Sequence, residues 1–314
     1  MSKALVIIKS MGIGDLCILI PYIHAIKKKN NSVITVLAQK NARASSILKQ
    51  DPNVDEVIEL DEIEIQGFYN IIKLIRPKKF DQSYIYSDSI RLFLISQLSG
   101  IKENFQYKFF SKKGKNFYKT AKEFTEEILK IKIDPQSKLY CDEQNIEKIK
   151  IKFNITKEKK NIVCGISASG PTKRWNINNY IKLFEKINSK YSCNFFLAGG
   201  KQDEDLIKNI KESSIGKNCS SLSKMTISEA MPIIASSQYY IGNDTGWGHI
   251  SSGLGLKSLF LFMDSPPSAY GVYSKNISIV VPDGETIESC THNTRGKDRI
   301  PVEKVFDRFL ELVS

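Results

Sequence analysis

The sequence is poor in the groups that build metal sites and disulfide frameworks. Three histidines and six cysteines are spread over 314 residues. No two cysteines form a C-x-x-C pair, and only Cys290 and His292 stand close together, with nothing to complete a set of four. That argues against structural zinc and for reduced thiols in a cytosolic compartment. No apolar run reaches the roughly 18 residues of a membrane span. The opening MSKALVIIKS lacks the parts of a signal peptide. The nucleotide fingerprints are missing too. In KSMGIGDLCILIP, Gly12 and Gly14 match a dinucleotide loop, but Cys17 stands in the third glycine position. The second strand ends LAQKN, without the acid that holds a ribose. No Walker sequence occurs.

Positive charge is abundant. The formal net charge is +12, and FQYKFFSKKGKNFYKTAK (105–122) supplies half of it, with six lysines and no acid. Such an excess suits an anionic partner: a phosphorylated substrate, an acidic membrane surface or nucleic acid. With 41% hydrophobic and 25% charged residues the chain is globular. Its length suits two domains of roughly 150 residues each.

Strands and helices alternate along the chain. ALVIIKS (4–10), SVITVLAQ (32–39), VDEVIEL and FDQSYIYS read as strands. Between and after them, LCILIPYIHAIKKK (16–29), ARASSILKQ, QGFYNIIKLIRPK and SIRLFLISQLSG read as helices. The pattern blurs through the basic stretch and restarts after the polar NITKEKKN (154–161), the expected linker. NIVCGIS, CNFFLAGG, QYYIGN, KSLFLFM and NISIVVP are strands of the second half. NNYIKLFEKINSKY, EDLIKNIKESS, TISEAMPIIASS, GWGHISSGLGL and VEKVFDRFLELVS are its helices. The fold class is α/β, with parallel sheets covered by helices. The predicted domains are 1–155 and 156–314.

Three loops carry candidate chemistry. Asp15 follows the first glycine turn, where it either caps the helix or faces a ligand at the carboxyl end of the sheet. GISASGPTKRW follows a strand. Its Ser169, Thr172 and Lys173 form either a phosphate cradle or an ordinary polar loop, and Trp175 reads as a packing residue. NDTGWGH contains Asp-Thr-Gly, the triplet of aspartic proteases. Those enzymes are all-β and need two such aspartates, and this chain has one, in a strand–loop–helix setting. Asp244 and Thr245 therefore stand at a helix N-terminus, as a cap or as ligand-binding groups. His249, four residues past Thr245, shares its helix face.

Taken together, these segments resemble the bacterial heptosyltransferases of lipopolysaccharide core synthesis, which use ADP-heptose and have GT-B architecture. GIGDLCILIPYIHAIKK is similar to the opening Gly-Asp-x5-Pro-x5-Lys segment of that family. IRLFLISQLSGI resembles its mid-domain helix, ASGPTKRWNINNYIKLF its donor loop, and LAGGKQDED its Gly-Gly turn. KMTISEAMPIIASSQYYIGNDTGWGHISSGLG resembles the block with Asp-Thr-Gly-x-x-His. The chain departs from the family where KENFQY replaces an Arg-Ile-Gly-type strand, and SCTHNTRGKDRIPVEKV keeps a loose likeness only.

The resemblance implies two Rossmann-like domains with parallel sheets facing a central cleft. The N-terminal one takes the acceptor and the C-terminal one the nucleotide sugar, and in this fold the last helix often packs back on the first domain. It implies inverting transfer of heptose from ADP-heptose to a lipopolysaccharide-core or related surface glycan. Asp15, next to Gly14, matches the general base. Lys173 matches the cation that stabilises the departing diphosphate. Ser169 and Thr172 lie on the donor loop, and Met225 and Glu229 near the adenosine. Asp244 would hold sugar hydroxyls, Thr245 and Gly246 would offer N–H groups to the pyrophosphate, and His249 would brace that loop. Lys112, Lys113 and Lys115 would meet the anionic acceptor, with Phe109, Phe110 and Phe117 at a lipid boundary. No metal or other cofactor is implied, and no specific nucleic acid. The expected place is the cytoplasm, with peripheral contact at the inner membrane. Two rivals stand beside this reading: an enzyme of the same fold using a UDP-sugar, and a non-enzymatic binder of RNA or acidic polymers.

Overall fold

The apolar run that opens the chain becomes β1 (Lys3–Ile8), with Ala4 to Ile8 all buried. A parallel strand covered by helices on both faces needs that composition. The computed structural model describes residues 1–9, 12–108 and 116–314. They form two compact units, Met1–Tyr140 and Cys141–Ser314.

In the first unit β1 is joined by β2 (Val33–Gln39), β3 (Glu56–Leu60), β4 (Gln82–Ile85) and β5 (Glu103–Gln106). Their order is β3-β2-β1-β4-β5, and every pair runs parallel. The crossovers are α1 (Ile13–Asn30), α2 (Ala44–Ile47), α3 (Phe68–Ile75) and α4 (Ile90–Leu98), followed by α5 (Phe117–Leu129). The helix expected over ARASSILKQ is a single turn, α2, after a 3-10 turn at Lys40–Ala42. α1 starts earlier than its apolar pattern suggests, because Gly12 serves as its N-cap and admits Asp15 to the first turn.

The second unit opens with α6 (Glu143–Lys152) and continues with β6 (Lys160–Gly165), α7 (Ile177–Lys190), β7 (Cys193–Ala198) and α8 (Glu204–Lys211). Next come β8 (Cys219–Ser221), α9 (Ile227–Ala235), β9 (Tyr239–Asn243) and α10 (Gly246–Gly253). The chain ends with β10 (Lys257–Leu261), α11 (Pro267–Tyr270), β11 (Ile277–Val280) and α12 (Val302–Val313). The sheet order is β11-β10-β9-β6-β7-β8, again all parallel. The core joins Trp175, Tyr180 and Phe184 to Phe195, Leu259, Val305 and Phe309. α12 packs on α7 and against β10 and β11 of its own unit.

β6 and β9 lie close together at glycines. A Cβ on Gly165 would run into the Tyr240 hydroxyl, and one on Gly242 would meet the Gly165 backbone. The loops that leave these neighbouring strands are thereby held side by side.

Candidate functional site

The donor-loop residues and the Asp-Thr-Gly residues meet at the carboxyl ends of β6, β9 and β10, where open parallel sheets bind ligands. Asn243, the last residue of β9, is wholly buried. Its Oδ1 accepts the Trp175 backbone N–H at 3.1 Å and the Tyr180 hydroxyl at 2.9 Å. Its Nδ2 donates to the carbonyls of Ile166 and Ser167 at 3.1 and 3.0 Å. One carboxamide thus pins both feet of the segment between Ile166 and Trp175, with all of its hydrogen-bonding capacity used. Trp175 is buried, and its indole N–H donates to the Ile300 carbonyl at 3.0 Å.

The residues between those feet are more open. Ser169 is exposed, and Thr172 and Lys173 are half-buried on a 3-10 turn, Pro171–Lys173. Lys173 makes no ion pair among the described residues. Its charge nevertheless helps hold the carboxylates of Asp244 and Asp264 ionised. Arg174, next along, reaches buried Asp203 at 3.3 Å and ties the loop to the turn before α8.

Asp244 does not cap α10. Its Oδ2 accepts the Ser265 hydroxyl at 2.7 Å, and its Oδ1 lies 3.3 Å from His249 Nε2. His249 is 3% exposed, and its Nδ1 meets the Tyr273 hydroxyl at 2.9 Å, with the two rings stacked. Burial pushes the Asp244 pKa upward, but the His249 hydrogen bond and charge, Ser265 and Lys173 outweigh it and hold the carboxyl below its ordinary value. The result is a fixed carboxylate beside an uncommitted cation. Thr245 and Gly246 start α10, where backbone N–H groups and the helix dipole favour an anion.

Met225 is half-buried just before α9. Thr226 caps that helix, and Glu229 returns a bond to the Thr226 backbone N–H at 2.8 Å. Glu229 is thus committed to a capping box. The Thr226 backbone bond, with its hydroxyl, lowers the Glu229 pKa.

In the first unit, Asp15 lies in the first turn of α1 after Gly14, and its Oδ2 accepts the Gly12 N–H at 3.0 Å. Asp15 is half-buried at the carboxyl end of β1. Lys112, Lys113 and Lys115 lie outside the described residues. All six cysteines are free, and all but the half-buried Cys141 are buried. Among the described residues no three His, Cys, Asp or Glu side chains are grouped to hold a metal, and no helix is long and apolar enough to cross a membrane.

The sequence singled out Lys173, Asp244 and His249, but it gave no sign of Asn243, Ser265, Tyr273 or Asp264. Their partners lie 21 to 77 residues away in the chain. Only the ends of β9 and β10, next to Asn243, Asp264 and Ser265, were readable.

The chain is similar to known proteins over most of its length. The model of glycosyltransferase family 9 (heptosyltransferase) matches residues 115–299. Lipopolysaccharide heptosyltransferase 1 of Campylobacter coli is 22% identical over 316 residues, covering 91% of each chain. Among solved structures, ADP-heptose lps heptosyltransferase II of E. coli aligns with a TM-score of 0.79 and 18% identity, over 99% of this chain and 98% of that one. A family 9 glycosyl transferase of Veillonella parvula aligns with a TM-score of 0.81 and 16% identity, over 99% and 97%.

Proposed function

The chain belongs to glycosyltransferase family 9, and from that premise we propose that it transfers heptose from ADP-heptose, with inversion, to a lipopolysaccharide-core or related surface-glycan acceptor. It is a glycosyltransferase of the GT-B fold class. The observation that carries the donor reading is the placement of Lys173, which makes no ion pair among the described residues, beside the fixed Asp244 carboxylate and the N-terminus of α10.

In this reading the donor diphosphate takes the Lys173 ammonium, the Ser169 and Thr172 hydroxyls and the N–H groups of Thr245 and Gly246. Asp244 accepts hydrogen bonds from hydroxyls of the transferred sugar, and His249 and Ser265 keep it ionised and aimed. Met225 packs by the adenosine, with Glu229 near it. Asp15, beside Gly14, takes the proton of the acceptor hydroxyl as its oxygen attacks the anomeric carbon. The bond from that carbon to the diphosphate oxygen breaks, and ADP leaves with its new negative charge facing Lys173. The second unit serves the donor and the first the acceptor. Lys112, Lys113 and Lys115 meet its anionic groups, on the cytoplasmic face of the inner membrane, in peripheral contact with it.

A thermal-shift panel of ADP, ADP-heptose, UDP, UDP-N-acetylglucosamine, NAD and a short RNA tests this reading. A ligand at 100 times its dissociation constant stabilises by about 2.7 kcal/mol, a shift of a few degrees. Selective stabilisation by ADP and ADP-heptose is the expected result. Selective stabilisation by the uridine compounds would replace the donor, and a response to RNA alone would overturn the enzyme reading.

A further inference from the structure

The segments that leave β2 and β3 enclose a polar recess of about 300 Å³, lined by Gln39, Lys40, Asn41, Asp61 and Glu62. Gln39 closes β2 and is only 9% exposed, yet its carboxamide has no hydrogen-bond partner among the described residues. The amide atoms themselves are not buried but open into the recess, where a ligand can replace water as their partner. Asn41 stands on the 3-10 turn Lys40–Ala42, which packs against α1. α1 carries Asp15 in its first turn, and β1 and β2 are adjacent strands. The recess and Asp15 therefore belong to the same end of the same sheet.

The charges around the recess select its ligand. Lys40 is the single cation of the lining, and its ammonium is shared between Asp61 and Glu64 at 3.7 Å each. Asp61 accepts the backbone N–H groups of Ile63 and Glu64 at 3.0 and 2.7 Å, which keeps it ionised. Glu62 adds a second lining carboxylate. A phosphate or carboxylate would meet net negative charge here. Carboxamides beside carboxylates instead suit vicinal hydroxyls, which donate to the acids and exchange donor and acceptor roles with the amides. The volume lies at the low end for small-molecule sites, enough for a single sugar ring.

We propose that the recess is a subsite for a neutral, polyhydroxylated sugar residue of the acceptor glycan, next to the residue whose hydroxyl is presented to Asp15. This rests on the glycosyltransferase reading of Asp15 and narrows its acceptor.

The test is saturation-transfer NMR on the full chain, with methyl glycosides of glucose, galactose, mannose and heptose and with the 6-phosphates of the three hexoses. At least one neutral glycoside should show transfer, at three times or more the level of the phosphates. Asn41→Ala, an exposed change that leaves the fold intact, and Gln39→Ala should each cut that signal at least fivefold. Glu62→Gln should raise the signal of the phosphates. Silence across the neutral set, a preference for the phosphates, or indifference to both alanine variants overturns the proposal. ADP affinity measured on the same samples reports on the second unit, so failure of the donor reading is seen separately.

Discussion

Asn243 and Trp175, 68 positions apart, are joined by a 3.1 Å hydrogen bond from the Trp175 backbone N–H to the Asn243 side-chain oxygen. The same side chain holds Ile166 and Ser167. The segment 166–175, proposed above to hold the donor, is thus set by the residue that precedes Asp244. Asn243→Ala strips partners from two carbonyls, an N–H and a hydroxyl in a buried place, and should cost about 3 kcal/mol. Amide exchange over 166–175 should rise above that of the rest of the second unit. Asn243→Asp turns the two donors into acceptors facing carbonyls and should be as harmful at neutral pH. Unchanged urea midpoints and exchange rates in both variants would remove Asn243 from this role.

Lys173→Ala should weaken ADP binding about 10- to 100-fold, the range of one charge-assisted contact to a phosphate. The melting temperature without ligand should barely move, because Lys173 has no ion-pair partner to lose among the described residues. Calorimetric titration of ADP decides it, and an unchanged dissociation constant takes Lys173 out of the site.

Asp15→Asn should lower the transfer rate by about 10²- to 10⁴-fold, as expected for loss of a general base. ADP affinity should stay within a factor of about three, since the proposed donor groups lie in the other unit. The amide oxygen still accepts the Gly12 N–H, so the helix start is kept. Equal losses in rate and ADP affinity would count against the base.

The strand–loop–helix order was legible because buried parallel strands read as short apolar runs, as in ALVII and NIVCG. α5 was not, although Phe117, Ala121, Phe124 and Ile128 recur at helical spacing, because its first turns fall inside the lysine-rich stretch 105–122, which reads as a charged segment. α6 fully buries no residue and half-buries only a few, such as Ile146 and Ile149, so its period is weak. β8 is only three residues long. In the site, the loop residues Lys173 and Asp244 stood out by type and position. The residues that fix them did not, because a hydrogen bond such as Ser265 to Asp244 depends on which strands are neighbours. Gln39 was hidden for the same reason, as it reads as the end of a strand.

Asp244 sets an acid limit on the second unit. Burial works against its charge, yet His249, Ser265 and Lys173 together bring its pKa below the ordinary 3.8. A carboxyl depressed in the folded state contributes stability above its unfolded pKa and loses it as the pH falls through the folded value. Asp244→Asn keeps the shape but cannot titrate. The melting temperature of the unaltered chain should therefore exceed that of the variant at about pH 5. Below about pH 4 the margin should shrink. The remaining carboxyl groups titrate in both proteins and cancel in the difference. A margin that stays constant down to pH 2.5, or widens, would mean that His249 and Ser265 do not hold Asp244 as a carboxylate.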